Sequence, residues 1–144
     1  MSTVNSSLQL LMNLSRAQAI IARRLDSLSA HGLGFNDLVL LYLVGQAPGG
    51  KIKRIDLADK TGLTASGITR LLLPLEKTGL VARKANARDA RVSLVTLTAA
   101  GRRVLKEALH TANAVALDLL PKEQLKTNAS LPGILKLLGA NITV

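Results

Sequence analysis

The feature that most constrains this chain is a switch of apolar period in residues 55–97. Ile55, Leu57 and Ala58 form a short helical stripe ending at Thr61-Gly62, where glycine suits the left-handed residue beyond a helix end. Leu63 leads to Thr64, a good N-cap, and Ile68, Leu71, Leu72 and Leu75 then recur at steps of three and four up to Thr78-Gly79. Helix, short turn, helix is the helix-turn-helix arrangement. Beyond Gly79 the period falls to two. Residues 80–84 and 91–97 read as strands, the second with Val92, Leu94 and Thr96 on one side and Ser93, Val95 and Leu97 on the other. The segment 85–90 between them is polar and charged, so the pair forms a β-ribbon with a basic tip, a wing.

Longer helices flank this centre. Leu8, Leu11, Met12, Ser15, Ala19, Ala22 and Leu25 predict one helix over 6–28, with Leu10, Leu14, Ile20 and Ile21 as a second apolar flank. A helix apolar on more than one face needs more than one neighbour. Residues 31–34 break it, and a second helix runs from Asn36, a suitable N-cap, to about Gln46; Ala47-Pro48-Gly49-Gly50 is a turn. Thr98 caps a long helix whose stripe runs from Val104 to Leu119. Pro121 marks a turn and restart, and Pro132 opens a last short helix that closes near Gly139. The expected fold class is mainly α with a small antiparallel β-wing. Residues 1–144 are expected to form a single domain, with a winged core at about 36–97 and flanking helices at about 6–30 and 99–140.

Composition narrows the function. Hydrophobic residues make up 48% of the chain, yet Phe35 and Tyr42 are the only aromatics, so Leu, Ile, Val and Ala must build the core. Scarce aromatics argue against single-stranded nucleic acid, which binds on stacking platforms. The net charge is +10, and residues 51–106 hold thirteen Lys and Arg against four acids, so nearly all the excess is central. Such a patch suits a polyanion. A basic surface without a partner, or an anionic membrane surface, carries the same sign. The chain has no cysteine, which removes disulfides, Cys-based zinc sites and thiol redox sensing. No signal-peptide pattern or transmembrane-length run is present, and the cytoplasm is the expected compartment. With only His31 and His110, and no nucleophile motif, phosphate loop or metal-ligand spacing, no enzyme, cofactor or metal is expected.

The central residues resemble the core of the multiple-antibiotic-resistance regulator (MarR) family. The similarity runs through Leu57-Ala58, Thr61 to Leu71, and Leu75-Glu76-Lys77-Thr78-Gly79-Leu80-Val81-Ala82-Arg83. It continues through Asn86-Ala87-Arg88-Asp89-Ala90-Arg91 and the strand after it, and ends at Thr98-Ala99-Ala100-Gly101. The resemblance implies a mostly helical homodimer whose first and last helices interlock. It also implies a recognition helix from Thr64 to about Lys77 in the major groove and a wing in the adjacent minor groove. Two positions depart from the pattern: Pro74 lies within the recognition helix, and Asn86 stands where an Asp is frequent.

On this reading Thr64, Ala65, Ser66 and Gly67 present a helix N-terminus to a phosphate, and Thr69 and Arg70 face base edges. In the wing, Arg88 or Arg91 enters the minor groove with Asp89 orienting one of them. Lys51, Lys53, Arg54, Arg83 and Lys84 are candidate phosphate contacts. Pro74 predicts a kink or a tightened turn near Arg70 to Leu73. Many relatives respond to small aromatic or phenolic effectors bound between the dimerisation helices and the winged unit; Arg16, Arg23, His31 and Tyr42 are the weak candidates for such a pocket. The expected function is a sequence-specific double-stranded DNA-binding transcription regulator, a repressor more readily than an activator, on a pseudo-palindromic operator with half-sites about 10 bp apart. The alternative is a winged-helix protein–protein adaptor without DNA binding, which has no need of a basic recognition helix and basic wing together.

Overall fold

The switch of period becomes a helix-turn-helix followed by a β-ribbon, set between helices that begin and end the chain. The computed structural model describes residues 3–89, 91–140 and 142; Ala90 of the wing motif lies outside them. In chain order the elements are α1 (Ser6–Arg24), α2 (Phe35–Gln46), β1 (Lys51–Lys53), α3 (Arg54–Thr61), α4 (Ala65–Lys77), β2 (Val81–Ala85), β3 (Ser93–Leu97), α5 (Ala99–Leu119), α6 (Lys122–Thr127) and α7 (Leu131–Leu137). The protein is mainly helical with one small antiparallel sheet, ordered β1-β3-β2.

Several boundaries follow from side-chain caps. Asn5 Oδ1 accepts from the Leu8 N–H at 2.8 Å and starts α1. That helix stops at Arg24, four residues short of the expected end, and a 3₁₀ turn over Asp26–His31 carries Leu28 into the core. The start of α2 also differs: Gly34, not Asn36, is the cap residue, and its N–H donates to Asp37 Oδ2 at 2.8 Å. Thr98 Oγ1 accepts from the Gly101 N–H at 2.9 Å to start α5, as its sequence position suggests.

The strand expected after residue 80 and the one after 91 pair antiparallel, with Val81 opposite Leu97 and Ala85 opposite Ser93. A third strand, β1, joins the ribbon beside β3. Ile52 lies opposite Val95, and both are buried with Val81 and Leu97 on the inner face. Leu28, Leu40, Leu41, Val44, Leu57, Ile68 and Leu72 complete a core built, as composition requires, from aliphatic side chains.

Two glycines hold the centre together. Gly79 has φ +77°, its N–H donates to Glu76 O at 3.0 Å, and the Leu80 N–H donates to Leu75 O at 2.9 Å. These paired bonds end α4 in a Schellman motif and turn the chain into the wing. Gly101 meets a different constraint. A Cβ there would stand 1.9 Å from the Leu80 carbonyl oxygen, so the first turn of α5 lies against the start of the wing with no room for a side chain.

Candidate nucleic-acid interface

The face α4 turns outward follows from the face it buries. Ile68, Leu72 and Leu75 are in the core, while Thr64, Ala65, Ser66 and Arg70 are exposed and Gly67 and Thr69 half-buried. Thr64 Oγ1 accepts from the Gly67 N–H at 3.0 Å and lies 3.2 Å from Ser66 Oγ. Small residues in this first turn leave the helix end open to close approach. Other N–H groups of that turn have no intrahelical partner, a local preference for negative charge. The Arg70 side chain makes no ion pair or hydrogen bond among the described residues.

Pro74 does not break α4. The helix is continuous through Lys77, with Pro74 inside it. Pro74 removes the bond that would reach the Arg70 carbonyl, but Arg70, Leu73 and Pro74 are all exposed, so water can serve that oxygen. The last turn gains compensating bonds: Thr78 donates from N to Pro74 O at 3.0 Å, and from Oγ1 to Pro74 O at 3.0 Å and Leu75 O at 3.3 Å.

The wing is organised by its own side chains. The Asn86 N–H donates to Val92 O at 3.0 Å, and Asn86 Oδ1 accepts from the Arg88 N–H at 2.9 Å. Asn86 thus retains a turn-forming role without a charge. Asp89 Oδ1 accepts from the Arg91 N–H at 3.0 Å and from Arg91 Nε at 3.3 Å. Asp89 therefore orients Arg91, whose side chain stays 90% exposed. The Arg88 side chain has no partner among the described residues. Arg83 is different: it forms an ion pair with Glu76, tying β2 to α4 and leaving Lys84 as the uncompensated cation of that strand.

The remaining basic candidates divide. Lys51 and Lys53 are exposed on β1 on either side of buried Ile52. Arg54, the first residue of α3, instead donates from Nη1 to Thr69 Oγ1 at 3.0 Å. This contact spans fifteen positions and joins the two helices of the motif; nothing local in the sequence signals it.

The four weak effector candidates are not brought together. Arg16 and Arg23 are exposed on α1, Tyr42 packs half-buried against the core, and His31 Nε2 lies 2.9 Å from Thr111 Oγ1. A cleft of about 650 Å³ opens elsewhere, between the end of α2, β3 and α5. Its polar lining is Gln46, Thr96, Arg102, Lys106, His110 and Asn113, with Leu105 and Leu109 as apolar wall, and no acidic residue lines it. None of the four candidates does either. Periodicity assigned Leu105 and Leu109 to the core face of α5, but could not place Gln46 beside them.

An aliphatic core, a capped helix end presented to solvent and a basic β-ribbon define a winged helix-turn-helix of the transcription-regulator type. The chain belongs to the MarR family: the family's sequence model matches residues 31–92. The HTH-type transcriptional repressor Rv2887 of Mycobacterium tuberculosis is 30% identical over 115 residues, covering 80% of this chain and 81% of that protein. The fold matches a mutant MarR from E. coli solved with operator DNA, with a TM-score of 0.80, 21% identity and coverage of 96% of this chain and 99% of that one. It also matches an organohalide-sensing transcriptional regulator in a 2,4-dichlorophenol-bound form, with a TM-score of 0.79, 16% identity and coverage of 93% and 82% respectively. The family is one of transcriptional regulators, not enzymes, and among the described residues no helix is long and apolar enough to cross a membrane.

Proposed function

We propose that this MarR-family regulator is a homodimeric repressor that binds a pseudo-palindromic operator in double-stranded DNA and is released by a small anionic aromatic or phenolic effector. The observation that carries the DNA reading is the division of α4, with Ile68, Leu72 and Leu75 anchored in the core while its polar, small-residue first turn and Arg70 face outward. In this account Thr64, Ala65, Ser66 and Gly67 approach a phosphate, Thr69 and Arg70 meet base edges, and Arg88 and Arg91 serve the minor groove. Lys51, Lys53 and Lys84 hold phosphates without reading sequence. Arg83 contributes less to this field because Glu76 neutralises it.

The homodimer is supported by apolar surface at both ends of the chain. No residue of α1 is buried, and Leu8, Leu11 and Met12 are exposed there. Leu120, Leu125, Leu137 and Leu138 are exposed on the C-terminal elements, Leu137 at 88%. Two-fold symmetry then sets half-sites about 10 bp apart. Effector release is supported by the cleft beside α5, where Arg102 and Lys106 give an acid-free cationic lining suited to a carboxylate or phenolate. Selection of duplexes from a random library tests the whole reading. Inverted repeats centred roughly 10 bp apart are expected; direct repeats or unrelated sequences would overturn it. Benzoate or 2,4-dichlorophenol should raise the melting temperature and weaken operator binding together.

A further inference from the structure

Thr69 is a half-buried residue one turn into α4, and its hydroxyl is already engaged. Oγ1 lies 3.1 Å from the Ala65 carbonyl, to which it donates, and 3.0 Å from Arg54 Nη1, from which it accepts. A hydroxyl has one proton to give. Guanine N7 and O6, adenine N7 and thymine O4 each demand a donor in the major groove, and Thr69 has none left. Two bonds in opposite senses also fix its χ1 rotamer. What remains for a base edge is the methyl group and one lone pair. The neighbours on the same helical row are Ala65 and Leu73, one turn before and after; both are exposed, Leu73 at 46%. Thr69 therefore lies in an apolar row.

We infer that Thr69 reads thymine through its methyl group, and that Arg54 is a positioning residue that holds Thr69 in that orientation. Thymine is the base that presents a methyl in the major groove. Arg54 has further N–H groups free for a phosphate, so one guanidinium links the grip on the DNA backbone to the orientation of a reading side chain. The inference rests on α4 lying in the major groove, as proposed above.

The test uses a duplex selected from a random library by the full chain, with each thymine replaced in turn by deoxyuridine and affinity read by fluorescence anisotropy. Removing a buried methyl contact should weaken binding about three- to fivefold at one position per half-site. Thr69→Val, which keeps a methyl and loses the hydroxyl, should preserve that penalty. Thr69→Ser, which keeps the hydroxyl and loses the methyl, should abolish it. Arg54→Ala should shrink the thymine-to-uracil ratio, whereas a plain phosphate contact would weaken both duplexes equally. A penalty that survives in Thr69→Ser, or uniform tolerance of uracil by the wild-type protein, overturns the inference while leaving the groove reading intact. Failure to bind or select any duplex overturns both.

Discussion

The winged centre and the terminal helices are built from similar aliphatic residues, but they treat those residues in opposite ways. Between Leu38 and Leu97 the large apolar side chains mostly close on one another; Ile55 and Leu73 are the exposed exceptions. In α1 none is buried, and α6 and α7 likewise bury none, with Ile134 and Leu135 half-buried. The Leu and Ile content of a helix therefore does not by itself say whether it packs within its own chain. Helix α5 belongs to both regions: Leu105, Ala108 and Ala112 seal the core, while Leu117 and Leu120 beyond them are exposed. An apolar face left open on this scale marks an interaction surface.

The contrast breaks down if the centre does not hold itself together. Leu72 is fully buried on the inner face of α4, and Leu72→Ala should cost about 4 kcal/mol in denaturant unfolding. Gly101→Ala forces a methyl against the Leu80 carbonyl and should cost about 3 kcal/mol, with the first turn of α5 displaced. An unchanged unfolding midpoint in either variant would contradict the packing described. The terminal region should answer differently. Leu11→Asp combined with Leu137→Asp should leave the circular dichroism of the winged centre intact while halving the mass seen in sedimentation. Coupled loss of helicity and mass would mean that the two regions do not differ in this way. Removing the α4 cap with Thr64→Ala should cost about 1 kcal/mol. Glu76→Gln should change stability by less than about 1 kcal/mol, because its ion pair is partly solvated, and should strengthen non-specific DNA binding by freeing Arg83.

The same contrast explains what could be read from the residues. Thr64, Gly79 and the cap that Thr98 makes to Gly101 act within five positions, so the ends of α4 and the start of α5 are legible; the bonds of Thr98 to the Gly79 and Leu80 carbonyls are not. The alternation from Val92 to Leu97 separates the two faces of the strand but does not say which is buried; Val95 and Leu97 are. Strand β1 has three residues, too few to display a period, and depends on pairing with β3 more than forty positions away. The end of α1 at Arg24 was hidden because Leu25 and Leu28 continue the helical spacing while the backbone tightens into a 3₁₀ turn. Pro74 does not end α4, and the exposed last turn with its Thr78 bonds accommodates it. In the candidate interface, charge and position marked Arg70, Arg88 and Arg91, but the links Arg54–Thr69 and Glu76–Arg83 cross between elements.

The central claim is that this surface binds duplex DNA and distinguishes sequences. The most direct measurement is the affinity of the purified protein for selected and random duplexes across a salt series. The account predicts that log affinity falls linearly with log salt, with a slope of about −5 or steeper, and that selected duplexes bind roughly a thousandfold tighter than random ones. Absence of duplex binding at low salt, or equal affinity for every sequence, would contradict it.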